Sequence, residues 1–530
     1  MQTVQINRTN TGLFSIQQLD LSYNQERFIP FINTVFSKEA FEDSADDKAK
    51  SFTKEQRAIL VQALKKQYKN VSNAEASLKN IELLEQENAF TVTTGHQLSA
   101  FTGPLYFIYK ILHVVKQCEE LNASHHDYHF IPVYWMASED HDYEEIKSFE
   151  LFNKTITWET NQTGPVGQFD LSGWDEVKSA VRELFSNHPE AEIHGLIDTL
   201  QGEDYADAFR NFVHHLIGKY GVVIVDGNDT LLKSEFVPIM KKELTEQFAM
   251  EAVEKTNEEL DREGLKIQVH AREINLFYCD KGIRERIVKF GDHFEIEGKG
   301  TFTMDEMMQL LEEHPQLFSP NVVLRPVYQE TILPNVCYVG GAGEISYWLQ
   351  LKRVFDAVNV PYPLIQVRNS ILWIDAGSSD KIEKLSYSLD TIFQDVDLLK
   401  KRFVEEHSVE ELDFTELDKQ FDALKKTVMD SVISVEPNLE NYGIAETVRI
   451  EKQLNGIKDK LYRQSKSRHE KSLKMIEQLK DRLFPNGGMQ ERSLNFFHLT
   501  PDGNYSQTMD FLKNNMQPFS GDLIVVQDKN

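Results

Sequence analysis

The sequence predicts an α/β protein: a largely parallel, doubly wound sheet with inserted connecting segments, followed by an antiparallel helical arm. Three observations predict it. From Ala89 onward, short apolar runs alternate with amphipathic helical stretches. Polar, glycine-bearing clusters follow several of these runs, where a strand passes into a helix. Open α/β sheets bind ligands at that position. Beyond Asp375 the pattern changes to apolar residues at alternating gaps of three and four, the stripe of a coiled coil.

Residues 1–88 read as a helical segment packing on the core, with helical apolar spacing over Phe52–Tyr68 and Asn73–Asn88. The core spans 89–374. Its expected strands are Ala89–Thr93, His129–Met136, Gly221–Val225, Asn321–Val327 and Pro363–Val367. Its expected helices are Leu105–Leu121, Tyr205–Lys219, Lys233–Met250 and Tyr347–Val358. Segments 150–200 and 255–315 mix short strand and helix signals and read as insertions. In the arm, 375–485, one stripe carries Phe414, Leu417, Phe421, Leu424 and Val428, and Pro437 ends it. A second carries Ile450, Leu454, Ile457 and Leu461 and resumes with Ile476, Leu479 and Leu483. A helix from Ile444 to Leu483 is about 60 Å long at 1.5 Å per residue. That exceeds an ordinary packed helix, so the arm is expected to project, its seam closing on itself or on a second copy. Pro485-Asn486-Gly487-Gly488 stops it, and 486–530 return to the core with a strand at Leu523–Val526.

Of the 530 residues 41% are hydrophobic, enough for a large core. The formal charge of −27, from 57 basic and 84 acidic residues, argues against nucleic acid as the main partner. No run approaches the roughly 18 apolar residues of a membrane helix. The start, Met1-Gln2-Thr3-Val4-Gln5, carries no secretory pattern, and Cys118, Cys279 and Cys337 form neither a disulfide framework nor a CxxC. A reduced, cytoplasmic setting is expected.

Three clusters are candidates for chemistry. The first, Thr93 to Tyr106, places Gly95, His96, Gln97, Thr102 and Gly103 between a strand and a helix. Thr102 suits a cap and Pro104 a first turn, so free backbone N–H groups are expected to face an anion. The second, Ser138-Glu139-Asp140-His141-Asp142-Tyr143-Glu144-Glu145, supplies carboxylates and an imidazole for a general base or a divalent metal. No second histidine lies nearby at ligand spacing, so substrate contact is favoured over a metal. The third joins Arg325, an anion clamp, to Gly340-Gly341-Ala342-Gly343 and Glu344, where backbone approaches a phosphate or carboxylate. Each cluster also has a plain structural reading as a turn or a solvated helix start.

Taken together, TTGHQLSAFTGPLYFIYK, IPVYWMASEDHDYEEI and RLFPNGGMQER resemble, in order and spacing, the signature segments of BshC, the cysteine-adding enzyme family of bacillithiol biosynthesis. The resemblance extends over essentially the whole chain. It implies a Rossmann-like core, a coiled coil used for homodimer formation, and an architecture similar to class I aminoacyl-tRNA synthetases. The implied reaction joins the carboxyl of cysteine to the amine of glucosaminyl malate. That step needs an activated carboxyl, for which ATP is the implied source; ATP or ADP is therefore an expected ligand, although neither a HIGH nor a KMSKS segment is present.

From their position at the strand end, Gly95, His96, Gln97, Thr102 and Gly103 are expected to form the floor of a substrate pocket, with Tyr106 a further substrate contact. Arg325, Gly340, Gly341 and Glu344 complete its anion site, and one of Asp140, His141 and Asp142 deprotonates the sugar amine. The resemblance further implies a second, nucleotide site near the base of the arm, for which Ser378, Asn486, Gly487, Gln490 and Arg492 are the candidates. Two alternatives remain: a metal-dependent hydrolase using the Glu139–Glu144 cluster, and a non-catalytic coiled-coil scaffold.

Overall fold

The computed structural model describes residues 1–407 and 413–528; residues 408–412 of the expected arm lie outside the described residues. At the centre are five strands: β1 (Ala89–His96), β2 (His129–Met136), β3 (Val223–Asp226), β4 (Asn335–Gly340) and β5 (Leu364–Val367). They lie in the order β5-β4-β1-β2-β3, and every neighbouring pair is parallel. β1 and β2 are buried along nearly their whole length, which is why they read as continuous apolar runs rather than alternating ones. Chain order reverses between β1 and β4, so the strand ends at Gly95 and Gly340 flank the switch point of the sheet.

Helices cover both faces. α1 (Tyr106–Ser124) follows β1, α2 (Tyr205–Ile217) precedes β3, α3 (Thr230–Glu246) follows β3, and α4 (Ala342–Trp348) follows β4. Two insertions interrupt the alternation. The first carries the hairpin Ser148–Leu151/Lys154–Thr157 and two helices. The second is an antiparallel meander of Leu276–Asp280, Ile283–Phe290, His293–Ile296 and Gly300–Thr303, with Phe318–Pro320 added at its edge. A third sheet joins Gln2–Ile6 to Leu523–Gln527 and Ser370–Ile374, bringing both ends of the described chain together.

Some expected elements differ. Asn321–Val327 is not a strand: the Asn321 side chain accepts from the N–H groups of Val323 and Leu324, and Pro326 opens the helix Arg325–Ile332. The fourth strand lies beyond that helix, at Asn335–Gly340. Lys233–Met250 is two helices parted at Gln247, which takes a left-handed φ of 51°. Tyr347–Val358 is likewise two short helices, Ala342–Trp348 and Lys352–Ala357.

The arm consists of α5 (Thr415–Val435) and α6 (Glu440–Arg468), joined by a turn at Pro437–Leu439. Asp418 pairs with Lys458 and Lys425 with Glu451 at 3.4 Å, and this falling-against-rising register makes the pair antiparallel. The expected continuous helix to Leu483 breaks at His469. Its last part, α7 (Glu470–Leu483), buries Leu473, Ile476, Leu479 and Leu483 against Leu372, Ile374 and Val525 of the body. Among the described residues no helix is long and apolar enough to cross a membrane.

Candidate functional site

Gly95, Asp140 and Arg325 do converge, on one cavity of about 490 Å³ at the carboxyl ends of β1, β2 and β4. A Cβ at Gly95 would stand 3.1 Å from the Tyr338 hydroxyl and 3.8 Å from Arg325 Nη1, so a side chain there would crowd the tyrosine. The Gly95 carbonyl accepts from Lys110 Nζ at 2.9 Å, and Lys110 also forms an ion pair with Glu344. Burial works to raise the Glu344 carboxyl, but the Lys110 ammonium, the Gly341 N–H and the Tyr338 hydroxyl together hold it below its ordinary value.

The arginines set the character of this cavity. Arg325 donates to Gln329 at 3.0 Å, and Gln329 in turn donates to the buried Glu330 carboxylate, so the guanidinium is oriented from beneath. Arg272, Arg284 and Arg286 reach the same space from the second insertion. Arg284 lies over the Phe277 ring at 4.0 Å, and its Nε is buried without a partner. Among the described residues none of these four arginines forms an ion pair with a carboxylate, although the chain carries a net charge of −27. Arg182, Arg353, Arg368 and Arg482 elsewhere all have such partners. Arg272, Arg284 and Arg286 lie outside every motif named from the sequence. The available signal was Arg284-Glu285-Arg286 on a strand, where alternation puts both arginines on one face.

A second cavity, also of about 490 Å³, shares Gly95, His96, Gln97, Glu344 and Tyr347 with the first. It adds Tyr106, Lys110, Glu145, Arg368 and Arg492. Gln97 joins the two, its amide nitrogen donating to Asp140 at 2.7 Å and to Glu145 at 2.9 Å. His96 Nδ1 faces the Gln97 carbonyl at 2.8 Å. A carbonyl only accepts, so Nδ1 carries the proton and Nε2 keeps a free lone pair. Nε2 has no protein partner among the described residues and is open to solvent at the shared wall. Burial, reinforced by the Lys110 charge, pushes the imidazole pKa down to about 4, so the ring is neutral at neutral pH.

The second cluster takes other roles than expected. Burial works to raise the Asp140 carboxyl, but contacts from His141, Gln97 and the Asp142 N–H, with the Arg284 charge, hold it well below the carboxylate range. So strongly ionised a group is a poor proton acceptor. His141 is exposed, and its Nδ1 accepts from Arg284 at 2.9 Å; Nε2 therefore carries the proton and cannot take another in the neutral ring. Asp142 is exposed and faces a neighbouring hollow between Tyr143 and Gly282. Glu139 pairs with buried Lys233, and Glu144 with Lys147. The carboxylates thus face separate partners, and among the described residues no group of three or more His, Cys, Asp or Glu side chains is arranged to hold a metal.

Thr102 and Gly103 are buried outside both cavities. Phe101, Thr102 and Gly103 take positive φ, and Phe101 packs among Phe149, Phe212 and Phe497. The start of α1 is covered by the C-terminal segment: Leu105 N–H donates to the Leu494 carbonyl, and Asn495 donates to the carbonyls of Phe101 and Gly103. It therefore presents no open anion site. The Gly341 N–H is occupied by Glu344 at 2.9 Å, so the Gly340–Gly343 turn is not a free cradle.

The five nucleotide candidates do not share a pocket. Gln490 is held by the Trp373 backbone at both ends of its amide, Ser378 is buried in the helix Ala376–Lys384, and Asn486 and Gly487 form a left-handed turn. Arg492 alone reaches the cleft.

Residues 1–369 match the family model described as "Bacillithiol biosynthesis BshC, N-terminal Rossmann-like domain". Residues 371–527 match "Bacillithiol biosynthesis BshC, C-terminal coiled-coil domain". Similar proteins, each named "Putative cysteine ligase BshC", come from several bacteria. That of Cytophaga hutchinsonii is 41% identical over 443 residues, 83% of each chain. That of Flavobacterium johnsoniae is 37% identical over 500 residues, 94% of each. That of Chlorobaculum tepidum is 29% identical over 472 residues, 83% of this chain and 84% of the other.

Proposed function

Because the chain belongs to the BshC family of bacillithiol biosynthesis, we propose that it is a ligase that joins the carboxyl of L-cysteine to the amine of glucosaminyl malate. The names of its relatives support the ligase class. The observation that carries the substrate is the group of four arginines without carboxylate partners in the first cavity. Arg284 and Arg325 are half-buried and Arg272 and Arg286 exposed at the mouth; cations gathered around one cavity without a counter-charge suit a ligand that supplies the missing anions. The two malate carboxylates do so, and the apolar wall of Trp135 and Phe277 suits the faces of the sugar ring.

In this reading Gly95 and Gln97 form the floor, Arg325 and the pair Arg284 and Arg286 hold malate, and His96 Nε2 is the proton acceptor. The amine nitrogen attacks the carbonyl carbon of an activated cysteine, for which ATP is the proposed activator. The new C–N bond forms, the C–O bond to the leaving group breaks, and the nitrogen's proton passes to His96. Asp140 orients Gln97 instead of acting as the base. The exposed apolar side chains of α5 and α6 support dimer formation through the arm. The buried, free thiols Cys118, Cys279 and Cys337 suit a reducing cytoplasm.

Incubating the protein with L-cysteine, glucosaminyl malate and ATP, and following products by mass spectrometry, tests the reading. The expected result is a cysteine-dependent product of the joined mass less water, with matching ATP consumption. Release of cysteine or malate fragments without that product would overturn it and favour a hydrolase.

A further inference from the structure

The two cavities differ in what they leave unmatched. In the first, the unmatched charges are all arginine. In the second, Lys110 is paired with Glu344, and Arg368 is paired with Glu491 through two contacts of 2.7 and 3.0 Å. Two charges remain. Arg492 forms no ion pair among the described residues, and Glu145 receives only the Gln97 amide. Both act on the Tyr106 phenol, whose pKa is raised first by burial and then by Glu344, against Arg368 and Arg492, with Glu145 adding to the rise. One free cation and one free carboxylate facing the same small space complement an ammonium and a carboxylate on one molecule.

We propose that the second cavity is the amino-acid subsite, with Arg492 receiving the α-carboxylate and Glu145 the α-ammonium of the free amino acid. The assignment rests on the ligase reading and divides its cleft. The dicarboxylate partner occupies the arginine cavity and the zwitterion occupies the other. The wall they share, Gly95-His96-Gln97, is where the amine of one can meet the carboxyl of the other. The division also gives Gln97 a role, since its amide nitrogen bonds one carboxylate from each side, Asp140 and Glu145. Selectivity follows from charge. A dicarboxylate entering the second cavity meets the free Glu145, while an amino acid entering the first finds no carboxylate free for its ammonium, because Glu139 and Glu344 are paired with lysines and Asp140 accepts from Gln97 and the His141 and Asp142 N–H groups.

Calorimetric titration of the full-length protein under reducing conditions tests the division. Glu145→Gln and Arg492→Gln should each weaken L-cysteine about tenfold, the effect of one charge-assisted contact, and leave L-malate unchanged. Cysteamine, which lacks the carboxylate, should be weakened by Glu145→Gln only. 3-Mercaptopropionate, which lacks the amine, should be weakened by Arg492→Gln only. Unchanged L-cysteine affinity in both variants, or equal weakening of L-malate, overturns the subsite while the ligase reading stands. Failure of the wild type to bind either L-cysteine or L-malate overturns the ligase reading itself.

Discussion

Two regions of the molecule leave surface unmatched, and they do so with opposite chemistry. At the carboxyl rim of the central sheet, the four arginines face a cavity walled by Trp135, Tyr338 and Phe277 and form no ion pair with a carboxylate among the described residues. Along the arm, Asp418–Lys458 and Lys425–Glu451 pair across the two helices, and large apolar groups lie exposed: Leu424 is 51% exposed, Ile457 56% and Val435 82%. α5 buries none of its residues. Unmatched charge in a cavity calls for a small polar ligand, whereas an unmatched apolar stripe on a helix pair calls for another protein surface. α7 shows what the stripe does when it finds one, since its Leu473, Ile476, Leu479 and Leu483 are buried against the body. On the proposed reading the rim carries chemistry and the arm carries assembly.

The largest effect that sharpens this contrast is at the rim. Replacing Arg284 and Arg286 together with Gln should lower kcat/KM about a thousandfold, roughly 4 kcal/mol for two charge-assisted contacts. The melting temperature should hold, because neither arginine leaves a carboxylate stranded. A parallel loss of stability would mean that the arginines are structural. Next is Lys110→Met, which leaves Glu344 and the Gly95 carbonyl without their cation. Unfolding free energy should fall by about 3 kcal/mol in denaturant titration, and an unchanged midpoint would remove the pair from the framework of the site.

At the arm, Leu424→Glu combined with Ile457→Glu should convert a dimer to monomer by light scattering while thermal stability holds. A wild type that is already monomeric would break the comparison. The smallest effect is spectroscopic. In imidazole nitrogen NMR His96 should remain the neutral Nδ1–H form as pH falls from 7 to about 5, since its pKa is lowered to about 4 by burial and then by Lys110. Below that value the charged ring should appear. An Nε2–H tautomer would exclude Nε2 as proton acceptor, and titration near the ordinary value of 6.5 would overturn the burial of the ring.

The sheet was largely legible because its strands carry long apolar runs and its helices carry clear stripes. β4 was not, since the valines at 322–323 mimic a strand while Asn321 and Pro326 turn the chain into a helix start. The position of the candidate cavity was legible from the strand ends at Gly95 and Asp140. Its electrostatics were not, because they depend on which charges find partners. The glycine turn at 340–343 looked free, yet Glu344 occupies its N–H. Thr102 looked like a cap, yet Asn495, almost four hundred residues away in sequence, covers that helix start. The arginines of the meander belong to an insertion, and only the folded chain brings them over the sheet.

Calorimetric titration of glucosaminyl malate into the full-length protein, wild type against the Arg284→Gln/Arg286→Gln variant, tests the central claim most directly. Saturable binding that falls at least about a hundredfold in the variant, with both proteins melting alike, is the predicted result. Equal affinity in the two proteins would contradict it and return the arginine cavity to an unassigned surface.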